Sequence, residues 1–435
     1  MTASNIPTPG GDDVNAVVLD VGSSTFRAGF AGEDIPRIVE SSTFRYPESL
    51  DDVDMSAASR PRYSPANFLF PTNPCELRHA LHGDPKTGAI DINSDVLEQI
   101  VQYSFFNPAQ AFHIDPEDSP MIMTEPNKAS SKFRRACLDT AFEKFGFPAA
   151  SLLKRASGSA FSAGKQSGLV VDIGASATTI TPVFDGFVLQ KPLMEFHGIG
   201  GDLLDVILDD LMKRKRISVS PYYKQTEGID SKYLNASRLA VVRELKHEVC
   251  RMSGTPLSSV TGYANWNLTL QGEGSSAPSI LPDGTKVDLA PFHQVLPELL
   301  FDPIPITAIP HLAHVLNGFN GIGVSALECI ANCDIDARKA ISSDVILCGG
   351  SSLFANMPER LLKGLQNPDQ PKGSPLIPIP KPKVTATPVS VDRISTSWLG
   401  CSIVASCGTF QQLWISRRQY EEEGFDRIAR KQLFW

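Results

Sequence analysis

The chain has 435 residues, enough for two to four domains around a large buried core. Its net charge is −8 with 42% hydrophobic and 20% charged residues, which speaks against sequence-independent nucleic-acid binding by the whole surface. No apolar run reaches the roughly 20 residues that span a bilayer, and the polar, Pro- and Gly-rich stretch Met1 to Asp13 reads as a disordered tail and not a signal peptide.

In chain order, the first strong signal is Val17-Val18-Leu19-Asp20-Val21-Gly22-Ser23-Ser24, a buried strand carrying an Asp into a tight turn, with a β-rich stretch over 25–30. The stretch from Ser42 to Pro85 has little periodicity and reads as a loop or variable insertion. Residues 94–107 and 130–146 read as helices, with a buried strand at Met121-Ile122-Met123-Thr124-Glu125 between them. The strand–turn pattern then recurs as Leu169-Val170-Val171-Asp172-Ile173-Gly174-Ala175-Ser176. Gly198-Ile199-Gly200-Gly201 leads into an amphipathic helix over Asp202 to Lys213. Residues 217–233 and 253–284 read as inserted loops, and Val345 to Cys348 as a strand ending in Gly349-Gly350-Ser351-Ser352. Asn367 to Pro388 reads as exposed, and 396–420 as two helices packed on the first domain.

Glycine lets a backbone come close to a ligand, and consecutive amides in such a turn form a nest for anions. A strand-end Asp can hold a divalent cation through water. One such turn is weak evidence, since Asp before Gly is common turn chemistry. Two of them predict two similar domains clamping a Mg-nucleotide by its phosphates.

At this point the chain resembles actin. Asp20-x-Gly22-Ser23, followed by Arg27-Ala28-Gly29-Phe30-Ala31-Gly32-Glu33-Asp34, is similar to the family's first phosphate loop. Cys333-Asp334-Ile335-Asp336 and Gly349-Gly350-Ser351 resemble its adenosine region, and the run from Ser397-Trp398-Leu399-Gly400 to Trp414-Ile415-Ser416 its C-terminal helices. Gly408-Thr409-Phe410-Gln411-Gln412, Ile217 to Tyr222 and Leu300-Phe301-Asp302-Pro303 are most similar to the nuclear actin-related protein 4 group. The resemblance implies a two-lobed α/β fold of duplicated ribonuclease H-like domains. Its expected subdivision is a tail at 1–15; a first subdomain at 16–41, 86–162 and 395–435; a divergent second at 42–85; a third at 163–198 and 318–394; and a fourth at 199–317 with insertions.

The resemblance also implies site roles. Ser23, Ser24 and Arg27 face the β- and γ-phosphates, Arg27 standing where actin has Lys; Gly22 shapes that turn. Asp20 and Asp172 order water around Mg²⁺, and Gly174, Ala175 and Ser176 offer amides. Gly200, Arg243, Lys246, Gly349, Gly350, Ser351 and Phe354 surround the ribose and base, with His247 replacing an acid of actin. Actin orients its attacking water with Gln and His; Arg155 and Thr179 stand at those places and Ala175 replaces a further acid, so ATP binding with very slow or absent turnover is expected.

For partners, Ser42 to Pro85 has no likeness to actin's polymerisation loop, so no filament is expected. Phe161, Phe187, Val404, Cys407 and Leu413 align with an apolar groove that takes a partner helix, against plain core packing as the alternative for Phe161 and Val404. The expected role is a structural subunit of nuclear chromatin-remodelling and histone-acetyltransferase complexes, paired with actin on a scaffold helix, with histones or the nucleosome as further candidate contacts and no membrane. The alternatives are a polymerising cytoskeletal ATPase and a small-molecule kinase on the same core. Lys213-Arg214-Lys215-Arg216 reads either as a nuclear-import or nucleic-acid patch or as a solvated helix end. Cys329 and Cys333, and His311 and His314, have one-turn spacing, for which buried thiols and surface or capping roles outweigh a metal site.

Overall fold

A computed structural model of the chain describes residues 16–47, 64–71, 75–84, 87–107, 114–224, 226–253, 256–257, 278–289, 292–366, 379 and 381–432. The expected tail at 1–15, most of the expected insertion at 253–284 and most of 367–380 lie outside the described residues.

The first lobe begins with the expected hairpin. β1 (Val17–Val21) pairs antiparallel with β2 (Thr25–Phe30), placing Asp20 opposite Arg27, and β3 (Ile38–Ser41) extends β2. β1 is buried at every residue, which explains its continuous apolar run around a single acid. The segment after it corrects the loop expected over Ser42–Pro85. β4 (Thr43–Pro47) pairs with both β5 (Ser64–Pro65) and β6 (Cys75–His79) in a three-stranded sheet, with Phe44 and Tyr46 buried. The alternation that makes this sheet is only a few residues long, and its strands find each other across distant sequence, so no local period reveals it.

β7 (Leu81–Gly83) and β8 (Ile90–Ile92) form a hairpin before α1 (Ser94–Phe105), whose first amides are capped by the Asn93 side chain. β9 (Met121–Glu125), α2 (Ser131–Asp139), β10 (Ala149–Lys154) and α3 (Arg155–Ser162) follow, with β9 parallel to β1 and β10.

The second lobe repeats the plan. β11 (Gly168–Ile173) and β12 (Ala177–Phe184) form its central hairpin, and β13 (Phe187–Val188) and β14 (Met194–His197) both pair with β12. Then come α4 (Gly201–Arg214), α5 (Ser231–Val249), β15 (Ser279–Ile280), β16 (Lys286–Val287), α6 (Val295–Glu298), α7 (Ile322–Ala331) and α8 (Ile335–Ser343). β17 (Val345–Cys348) runs parallel to β11; after α9 (Met357–Gln366), β18 (Val384–Thr385) runs parallel to β17. That strand is half-buried, so Asn367–Pro388 is not exposed throughout. The chain returns to the first lobe through α10 (Ser390–Ile394), α11 (Thr396–Ser406), β19 (Ile415–Ser416) on β10, α12 (Arg417–Glu423) and α13 (Phe425–Gln432).

The two sheets have the orders β19-β10-β9-β1-β2-β3 and β13-β12-β11-β17-β18, each mixed and each built on a hairpin with a parallel neighbour on one side and an antiparallel one on the other. This is the two-lobed α/β architecture that the resemblance implies. α3 sits where the lobes meet: Ala156 and Ala160 pack with Val170 and Ile346 of the second sheet. Its Gly158 touches α11, where a Cβ on Gly400 would lie 1.8 Å from the Gly158 carbonyl oxygen. α11 is anchored on the first sheet by the fully buried Trp398, whose indole Nε1 donates to the Val18 carbonyl at 3.2 Å.

Candidate functional site

The two hairpin turns face each other across a cavity of about 660 Å³ between the lobes. Both close in the same way. The Gly22 amide donates to the Thr25 carbonyl at 2.9 Å, and the Gly174 amide to the Ala177 carbonyl at 2.9 Å. A Cβ on Gly22 would meet Thr25 O at 2.8 Å, so the turn needs glycine there. The next two amides of each turn, Ser23 and Ser24, then Ala175 and Ser176, donate to no described acceptor, and all four residues line the cavity. Free amides grouped on a polar wall are an anion cradle.

Cations complete it. Arg27 Nη1 lies 3.1 Å from Asp20 Oδ2 and its Nη2 donates to Thr25 Oγ1 at 3.1 Å. Arg155, the first residue of α3, donates to the Val21 carbonyl and stands 3.6 Å from Asp20 Oδ1 through Nε. The Nε atoms of both arginines are buried without a hydrogen-bond partner among the described residues. Two guanidinium groups on the same wall as four free amides fit a phosphate chain.

The two strand-end acids differ. Asp20 is 2% exposed, and its carboxylate also accepts from Thr124 Oγ1 at 2.5 Å and Ser397 Oγ at 3.0 Å. Burial pushes its pKa up, but Arg27, Arg155 and these hydrogen bonds outweigh it and hold the group below the ordinary value. Asp172 accepts no hydrogen bond from a described residue; burial, with Asp20 adding to it, raises its pKa against the pull of Arg155 and Arg27. Of the two acids expected to order water around Mg²⁺, Asp20 is held by protein donors, whereas Asp172 accepts from none of the described residues. No cluster of three or more metal-ligating side chains exists among the described residues.

Beside Asp172, Gly349, Gly350 and Ser351 reach the wall as expected. Gly349 has φ +89°, and a Cβ there would fall 2.2 Å from Asp172 Oδ1. Arg243 and Lys246 line the wall but are held by acids: Arg243 Nη2 to Asp202 at 2.7 Å, Arg243 Nε to Asp205 at 2.9 Å, Lys246 Nζ to Asp205 at 2.6 Å. His247 is beside them, its pKa lowered by burial and by Lys246. Gly200 and Phe354 are not on the wall. Gly200 lets α4 approach the second turn, since a Cβ there would be 2.4 Å from Ala175 O. Phe354 is buried in the second-lobe core, and its neighbour Leu353 lines the cavity. The α4 N-terminus is also spent inside the protein: the Gly201 and Asp202 amides donate to the carbonyls of Gly174 and Ala175 at 3.0 and 2.9 Å.

Arg155 and Thr179 both line the cavity, so a donor and a hydroxyl stand on its wall. Sequence reasoning missed Glu195, His197, His82 and Asn127, which also line it. β14 pairs Glu195 with Thr179 and His197 with Ala177. The alternation Met194-Glu195-Phe196-His197 on one short strand is the signal that could have found the first two.

Away from the cavity, Phe161, Val404 and Leu413 are half-buried against the Trp398–Phe410 cluster, and Phe187 (45% exposed) and Cys407 are open. The basic run is largely engaged at the end of α4: Lys213 pairs with Asp209 at 2.8 Å, Arg214 with Asp210 at 2.7 Å, and the Lys215 ammonium sits 4.7 Å over the Phe292 ring. This favours the helix-end reading of the run. Cys329 and Cys333 are buried, the Cys333 thiol donating to the Cys329 carbonyl at 3.3 Å.

A family profile described as Actin matches residues 11–433. Actin-related protein 4 of Arabidopsis thaliana is 30% identical over 97% of this chain and 99% of its own length. The Schizosaccharomyces pombe protein of the same name is 31% identical over 97% of each chain. A third, from Yarrowia lipolytica, is 26% identical over 98% of this chain and 97% of its own.

Proposed function

The chain belongs to the actin family, and from that premise we propose that it is a non-filament-forming, nucleotide-binding structural subunit of nuclear chromatin-remodelling and histone-acetyltransferase complexes. The observation that carries this reading is the end-to-end likeness to proteins named actin-related protein 4. The site supports ATP with Mg²⁺ as a conformational staple: the cradle spans both lobes, and a ligand that binds only the folded form stabilises it by mass action.

Turnover is very slow or absent in this proposal. Activating a water needs an oriented acceptor, and Arg155 brings donors to the cavity wall. In place of a filament, the half-buried Phe161, Val404 and Leu413 with the exposed Phe187 offer an apolar strip for a scaffold helix, with actin as neighbour. Affinity purification of the tagged chain from nuclear extract, with mass spectrometry, tests the role. Recovery of actin with remodeller or acetyltransferase scaffolds is expected; recovery of cytoskeletal proteins alone, or pelleting of the pure chain in polymerising salt, would overturn it.

A further inference from the structure

Among the described residues, Glu195 is the one acid on the cavity wall that the site described so far does not use. Its side chain is 3% exposed. Neither carboxylate oxygen accepts a hydrogen bond from a described residue, and Oε2 is fully enclosed. The cations around it are committed elsewhere or held back. On its own strand, His197 Nε2 stands 3.9 Å from Oε2 while donating to the Gly88 carbonyl of the first lobe at 3.1 Å. At the end of β10, Lys154 pairs with Glu125 at 2.6 Å. Arg155 of α3 is turned to Asp20 and the Val21 carbonyl. Lys128, from the turn after β9, acts on Glu195 only through its field.

We propose that Glu195 makes polyphosphate binding in this cleft proton-linked, the cleft taking up a proton on Glu195 as the anionic nucleotide enters. This rests on the nucleotide reading above. Glu195 sits opposite Thr179, three residues along the chain from Ser176, the nearer of the free amides in that turn, about 10 Å of strand length. An anion drawn to those amides raises the cost of a second, unpaired negative charge in the same enclosed space. Burial already raises the pKa of this group against the pull of Lys128, His197, Arg155 and Lys154. The protonated carboxyl loses that repulsion and gains an O–H that can donate to phosphate directly or through water. It also ceases to be an acceptor for a water proton, in keeping with slow turnover.

The sign follows from linkage. The bound state holds more protons than the free state, so affinity falls as pH rises, by up to about tenfold per pH unit for one proton. The test is calorimetric titration of the full chain with Mg–ATP and with ADP, in buffers of different ionisation enthalpy and over a range of pH. Wild type is expected to take up protons, most with the triphosphate. Glu195→Gln should lose that uptake and bind ATP more tightly than wild type at alkaline pH, after the nucleotide's own titration, common to both proteins, is subtracted. Glu195→Asp, which keeps an acid, should retain the slope, and so should His197→Gln. Equal uptake in Glu195→Gln, its loss in His197→Gln, or ATP binding to wild type with no uptake would overturn the proposal. Absence of any ATP binding, at every pH, would instead remove the nucleotide reading on which it stands.

Discussion

Arg27→Ala is the most searching single change, because Arg27 serves both the fold and the cradle. Its guanidinium lies 3.1 Å from Asp20 Oδ2, on a carboxylate 2% exposed. Removal leaves Oδ2 with Ser397 alone at 3.0 Å, while Oδ1 keeps Thr124 at 2.5 Å and Arg155 at 3.6 Å. Breaking a buried ion pair from one side costs about 3–5 kcal/mol, and the second arginine places the expected loss near ~3 kcal/mol. The pH dependence changes with it. In wild type the pKa of Asp20 is held below its ordinary 3.8, so its stabilisation is complete above that value and is lost as pH falls toward the depressed one. With Arg27 gone, burial raises the group and the loss begins at higher pH. Nucleotide binding suffers separately, since the guanidinium and its charge are withdrawn from the cavity wall. Charge-assisted hydrogen bonds are worth about 1.5–3 kcal/mol, or about 10- to 100-fold in the Kd for ATP. Calorimetry and thermal melts on wild type, Arg27→Ala and Arg27→Lys measure both. Lys restores the charge but not the fork and should recover most of the stability and part of the affinity. A folded Arg27→Ala protein that binds ATP as wild type does would refute the cradle.

Glu195→Gln should stabilise the nucleotide-free protein at neutral pH. The native carboxyl has its pKa raised above 4.5, so wild type gains stability as pH falls toward that value and the two melting curves should converge there; equal melting at neutral pH would count against the raised value. Gly400→Ala must push α11 off Gly158, costing about 1–3 kcal/mol or more and shifting Ser397 from Asp20, whereas Gly408→Ala, with nothing within 4 Å, should melt as wild type does. The Tyr233 hydroxyl points at the carbonyls of Asn67 and Phe70 at 2.7 and 3.1 Å, strapping the divergent segment to α5, and burial pushes its pKa up to about 12, so it stays a donor. Tyr233→Phe loses about 1 kcal/mol and should speed release of a fluorescent nucleotide about fivefold; an unchanged release rate would mean the strap does not hold the cleft.

Much of this protein was legible in its sequence. The two Asp-x-Gly turns, the strands before them and the helices after them are written in local periods and glycine placement, and those signals survive without knowledge of neighbours. The short sheet of β4, β5 and β6 was not legible, because Phe44 and Tyr46 alternate too briefly and their partners come from distant segments. Within the site, the sequence named the right turns but could not apportion charge. Asp20 and Asp172 occupy equivalent places in equivalent hairpins, yet Thr124, Ser397 and Arg155, which converge on Asp20 from more than a hundred residues away, hold the first and leave the second open. Phe354 and Leu353 differ by one position, and only the packing of the second-lobe core decided which faces the cavity. Glu195 reads as an ordinary strand residue until β14 is laid against β12. Local sequence thus determined which backbone can cradle an anion, since φ, turns and strand period are short-range properties. The tertiary structure decided which side chains are charged, paired or free around it, since burial and electrostatic fields sum over groups that only the fold brings together.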